Sequence, residues 1–406
     1  MLNWWSVRYF SKLLIAVVVL ASFASSTLGQ EHQITFWQFW KPSWLEPAIK
    51  RFEEENKPWK VKLERLTWSG GRRKLITAMA AKQAPDVMEI GSTWSPEFMS
   101  SGALLPLYDG GEELNLFHID SGTYQNKIYG LPWTISVAGL YYNKDLLKKA
   151  GFDSPPRTWA ELLEQSSKIN NPSKKVYGFG VKIGAETTWQ RFLPFAWSNG
   201  AKIVNNQGEV VVNRKNFIDA LDFYNQLHQN GIMDSNLAIR KIFQQSKLGF
   251  VIEDPGQMAN FKKRFPDLNF GVTSLPNAPL TGRHEVFGGA ELLVVSSNTK
   301  HPDMASALVK FLVELENTKL ITNKVTTLFP ADKDGLKDDF YTKDNKNLQI
   351  FLNELIYARS TLVNPLWPEI QRSLVLNVEK MLYGRLSPSD AAKELDEQVK
   401  LILEDE

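Results

Sequence analysis

Cysteine is absent from all 406 residues. Disulfides, thiolate metal sites and cysteine nucleophiles are thereby excluded, as is lipid attachment through a cysteine beside a leader cleavage site. Histidine is nearly as scarce. His32, His118, His228, His284 and His301 show neither an HExxH nor any paired ligand spacing, which argues against a metal centre. There is no GxSxG elbow and no Ser-His-Asp order to support nucleophilic hydrolysis. The net charge is only +2, with acids and bases mixed along the chain. Short runs such as Lys262 to Arg264 therefore read as solvated faces, and no basic stripe points to nucleic acid. After residue 24, no apolar run approaches the length of a membrane span.

What is present begins with a leader. Arg8 and Lys12 precede an apolar run from Leu13 to Ala24, which the small residues Ser25, Ser26, Thr27 and Gly29 follow. A charged start, a short apolar centre and a small-residue exit predict a secretory signal over residues 1–29. Export without disulfides fits a bacterial envelope, so a periplasmic location is expected. The remaining chain exceeds one ordinary core, and two lobes are expected. Aromatics are abundant, with 13 Trp, 11 Tyr and 23 Phe; that is enough to fill cores and leave flat apolar faces for a ligand.

The pattern along the chain is strand, helix, strand, helix, strand. QITFWQFW at 33–40 alternates as a strand, Leu45, Ala48, Ile49 and Phe52 recur at helical spacing, and Val61 to Leu66 is a second strand. Leu75, Ile76, Met79 and Ala80 mark a helix, and Asp86 to Ile90 a third strand. Such alternation predicts a parallel sheet covered by helices, with ligands gathered beyond the carboxyl ends of its strands. Those ends carry Trp37 and Trp40, Trp68, and Ser92 to Trp94. The densest stretch, IYGLPWTISVAGLYYNKDL at 128–146, combines a Gly-Pro turn with a strand over Thr134 to Tyr142 and a helix start near Asn143. It suits a passage between lobes as well as one more buried strand. Further on, Thr158 and Glu161 fit a capping box. Glu253-Asp254-Pro255-Gly256 could hold hydroxyls or cap a helix, and Gly288-Gly289 could admit a ligand or form a plain turn.

Several of these segments together resemble the periplasmic solute-binding proteins of sugar ABC transporters, the extracellular family 1 group that includes the maltose-binding proteins. The resemblance is carried by ITFWQFW, APDVMEIGSTW, YGLPWTISVAGLYYNKDLLKKAGFDSPPRTWAEL, KLGFVIEDPGQM and FGGAELLVVSSNTKHPDMASALVKFL. It implies an α/β fold of two lobes, the type II-like periplasmic-binding-protein arrangement, each lobe a mainly parallel sheet flanked by helices. The lobes would be 30–134 plus 283–328 and 139–276 plus 331–406, with hinge crossings near 135–138, 277–282 and 329–330.

The resemblance also implies a function: a monomeric, non-enzymatic binder of a sugar or oligosaccharide that serves an inner-membrane ABC permease, with no cofactor and no nucleic acid. Its ligand contacts would fall at Trp40, Lys41, Trp68, Thr93, Trp94, Trp133, Ser136, Trp189 and Gln190. Glu253, Asp254, Gly288, Gly289, Arg359 and Trp367 complete the set. Where maltose-binding members have a carboxylate in the first crossing, this chain has Ser136 or its neighbours, so maltodextrin does not follow. A secreted carbohydrate hydrolase using Glu253 and Glu291 as its carboxylate pair is the alternative, and a polyol or glycerol-phosphate binder a further one.

Overall fold

The computed structural model describes residues 32–404 apart from 69, 111–112, 186, 206, 325–327 and 343–345. The expected leader lies outside the described residues. Among those described, no helix is long and apolar enough to cross a membrane.

Two sheets form the frame. The first runs in the order Phe329–Pro330, Gly130–Val137, Val286–Ser296, Val87–Gly91, Gln33–Gln38, Lys60–Arg65. Two short strands, Leu104–Leu105 and Ala358–Arg359, also pair with Val286–Ser296. The second sheet has the order Gly231–Ser235, Tyr177–Ile183, Leu248–Glu253, Gly139–Asn143, Phe270–Thr273. Both are mixed rather than mainly parallel. The strands Gln33–Gln38, Lys60–Arg65 and Val87–Gly91 are parallel, as their intervening helices require. Val286–Ser296 enters from the other lobe and runs antiparallel to both neighbours, Val87–Gly91 and Gly130–Val137.

Local chemistry sets the element ends. Asn143 accepts a hydrogen bond from the Leu146 amide at 3.0 Å and opens the helix Lys144–Lys149. Thr158 caps Trp159–Ile169 through the Glu161 amide, while the Glu161 carboxylate reaches back to the Arg157 amide at 2.6 Å. That is one residue earlier than the usual capping box. The C-terminal helices Trp367–Leu382 and Pro388–Glu404 pack on each other and on Lys215–Gln229, which covers the second sheet.

The two sheets are joined at a narrow place. A single residue, Ala138, separates the strand Gly130–Val137 of the first sheet from Gly139–Asn143 of the second. The next passage lies between Thr273 and Val286. Phe329–Pro330 stays in the first sheet, where it pairs with Ile135 and Thr134. The helix Lys346–Glu354 packs on second-sheet strands, and Ala358–Arg359 then returns to the first sheet beside Val286 and Phe287.

Gly139, the first residue past Ala138, has no room for a side chain: a Cβ there would come within 2.9 Å of the Phe351 ring and 3.1 Å of Val272. Gly139→Ala should therefore cost about 1–3 kcal/mol through overpacking. Urea denaturation measures this, and an unchanged midpoint would mean that the passage is more yielding than its packing indicates.

Candidate functional site

The parallel strands of the first sheet end on one edge, and the segments leaving that edge enclose a cavity of ≈ 570 Å³. Trp68 follows Lys60–Arg65, and Gly91, Thr93 and Trp94 end or follow Val87–Gly91. Arg72, Arg73 and Ile76 come from the helix Gly71–Ala80. The opposite wall is Gln190, on the helix Thr187–Ser198 that packs against the second sheet. The cavity therefore lies between the two lobes.

Its aromatic wall is built on Phe39, which is itself buried. The Phe39 and Trp68 rings stack with centroids 4.1 Å apart and planes within 10°, and Trp94 leans against both, 6.0 Å from Phe39 and 5.4 Å from Trp68. Gly71 lets this happen, because a Cβ there would lie 2.6 Å from the Phe39 ring. Trp68 remains 45% exposed, unusual for an indole and suited to a stacking ligand.

Beneath this wall lies a pair of buried acids. Glu89 accepts hydrogen bonds from the Phe39 amide and the Trp40 indole, each at 2.8 Å. Glu291, on the adjacent strand, accepts from the Thr134 hydroxyl at 2.7 Å. Burial, and next the charge of Glu291, push Glu89 well above the usual carboxylate range; burial pushes Glu291 up to about 7. Both groups favour the protonated form in the folded chain. Their stabilising effect is complete below the ordinary value of 4.5, and the part due to Glu291 is lost as pH rises through about 7. Denaturation midpoints should accordingly fall from about pH 5 to about pH 8, and Glu291→Gln should flatten that fall. A wild-type profile already flat over this interval would show that the acids are relieved in some other way.

The second lobe carries a charge cluster at the end of Leu248–Glu253. Glu253 is fully buried, bridged by the Lys182 ammonium at 2.5 Å and held by two parallel Arg240 bonds of 2.9 Å. Asp254 is half-exposed at the N-terminus of Pro255–Arg264 and lies 3.4 Å from Arg191. Burial opposes its ionisation, but Arg191, Lys182 and Arg240 outweigh burial and hold it below the usual range.

Of the residues expected at a ligand, Trp68, Thr93, Trp94 and Gln190 line the cavity together. Trp40 is not among the lining residues; its indole is fixed by Glu89. Ser136 and Gly289 are partners across neighbouring strands next to Ala138, and Gly288 pairs with Val137 there. Lys41 is exposed, 5.3 Å over the Trp44 ring.

Others are not brought to this cavity. Trp133 is buried against Phe36, and Trp189 is buried between Phe287 and Trp367, itself buried. These three indoles fill interiors, the commoner use of large aromatics. Arg359 pairs with Glu285, and Glu253 is enclosed by its cations. The suggested hydrolytic pair, Glu253 and Glu291, is divided between the two sheets, each acid tied inside its own. Sequence reasoning missed Arg72, Arg73 and Ile76. The available signal was three consecutive cations at the start of a helix, where the macrodipole disfavours them. Among the described residues, no group of three or more potential metal ligands exists.

Comparison with known proteins agrees with this architecture. The profile of the family described as bacterial extracellular solute-binding protein matches residues 40–319, more than half of the chain. A binding protein of Brucella abortus is 28% identical, over 98% of this chain and 99% of its own length. A maltooligosaccharide ABC transporter solute-binding lipoprotein of Streptococcus pneumoniae is 26% identical, over 88% of this chain and 86% of its own. Among solved structures, the sugar-binding protein of the phytopathogen Xanthomonas citri superposes with a TM-score of 0.80 at 24% identity, covering 92% of this chain and 98% of that one.

Proposed function

This chain belongs to the bacterial extracellular solute-binding protein family, and from that premise we propose that it captures a sugar or short oligosaccharide between its lobes and delivers it to the permease of an ABC importer. The family consists of non-enzymatic transport components, so the ligand leaves as it arrived. The observation that carries the reading is the cavity itself, lined by Trp68 and the tilted Trp94 on one lobe and by Gln190 on the other. A pyranose offers an apolar face to such indoles and a rim of hydroxyls to Thr93 and Gln190. The maltooligosaccharide relative from Streptococcus pneumoniae supports a carbohydrate ligand. The leader expected at residues 1–29 supports a periplasmic location.

Closure of the lobes on a ligand shifts an existing equilibrium, by as much as the ligand prefers the closed form. A ligand present well above its Kd should raise the Tm by mass action on the native state. The test is a thermal-shift screen against mono-, di- and trisaccharides, followed by calorimetric titration and product analysis. Saturable binding without product supports the proposal. Turnover, or no response to any saccharide, removes it.

A further inference from the structure

The helix Gly71–Ala80 begins against the electrostatic grain. Arg72, Arg73 and Lys74 stand consecutively in its first turn, at the positive end of the backbone dipole, and no acidic residue accompanies them. Two of the three charges are offset locally. Arg72 pairs with Glu97; Lys74 pairs with Glu64 and lies 4.3 Å over the Trp37 ring. Arg73 is exposed and, among the described residues, makes no ion pair. It lines the interlobe cavity alongside Trp68, Trp94 and Gln190.

The lining contains two guanidiniums and no carboxylate. A neutral sugar hydroxyl both donates and accepts, and Thr93 and Gln190 already serve it in both senses, so the two guanidiniums are donors beyond what a neutral rim needs. Arginine only donates, and its planar fork matches an oxyanion bidentately. On the second lobe, the nearby acids Glu253 and Asp254 are already engaged by Lys182, Arg191 and Arg240. Three cations there face two carboxylates, so the second lobe offers no uncompensated acid to repel an anion, and on the first lobe the buried Glu89 and Glu291 lie outside the lining.

We infer that the ligand is an acidic saccharide, its ring stacked on the Trp68 and Trp94 wall and its anionic substituent bound by Arg73. This narrows the saccharide reading above and rests on it. Arg73 is then the residue that selects acidic over neutral rings, and the guanidinium of Arg72, held by Glu97, adds to the local field.

The experiment is calorimetric titration of the purified protein with glucuronate and galacturonate, with glucose 1-phosphate, and with glucose and galactose. The uronates or the sugar phosphate should bind at least about tenfold more tightly than the neutral parents, the scale of one charged hydrogen-bonded contact, and added salt should weaken that preference. The uronate and phosphate arms show which acid group is taken. Arg73→Gln should abolish the preference without lowering the ligand-free Tm, because the side chain is exposed and its charge opposes the helix dipole; Arg73→Lys should retain part of the preference. Neutral sugars binding as tightly as acidic ones, or a preference that survives Arg73→Gln, overturns this inference alone. Absence of any saccharide binding overturns the underlying reading with it.

Discussion

Replacing Glu253 by alanine should destabilise the protein by about 3–5 kcal/mol. The variant strands Lys182, 1% exposed, and leaves Arg240 without its bidentate partner. Burial, opposed by Glu253 and aided by the two guanidiniums, already draws the Lys182 ammonium down to about 7. Without the carboxylate, a charged Lys182 has, among the described residues, only the Ile252 carbonyl, 3.0 Å away, to accept from it. The double variant Lys182→Met/Glu253→Leu should recover much of the loss, because removing both partners removes the uncompensated charge. Urea denaturation of the single and double variants decides the matter. A single variant within about 1 kcal/mol of wild type would mean that water or a shifted side chain replaces the acid.

Trp68→Ala should weaken saccharide binding by about 2 kcal/mol, roughly 30-fold, while changing stability little. The indole is 45% exposed, rests on Phe39 and lines the cavity. Trp133→Ala supplies the contrast. That indole is fully buried, so its removal should cost about 3–5 kcal/mol of folding free energy. Calorimetric titration and urea denaturation of both variants separate the roles. Equal loss of affinity at unchanged stability for Trp133→Ala would place that residue at the ligand after all.

The alternating and helical patterns made much of the frame legible. The stretch 128–146 was open between a passage and a buried strand, and the structure shows two strands on different sheets with Ala138 between them. The direction of Val286–Ser296 was not legible, because its partners lie more than 150 residues upstream and no local periodicity reports long-range pairing. Side-chain exposure failed for a related reason. Trp68 and Trp189 both sit in polar-aromatic clusters, and only the elements packed above them decide that one is open and the other closed. Glu253 looked free to meet hydroxyls because its cations come from positions 182 and 240. Arg73 was missed, although three consecutive cations at a helix start carried a warning.

The place of Val286–Ser296 in the middle of the first sheet has a bearing on biogenesis. Every strand of the second sheet lies between residues 139 and 273, so a nascent chain can pair all the strands of that sheet while the first sheet still lacks its central strand. The segments made first must wait for one of the later ones. A long-range closure of this kind slows folding, and slow folding suits a polypeptide that must be threaded through a translocation channel before it becomes compact.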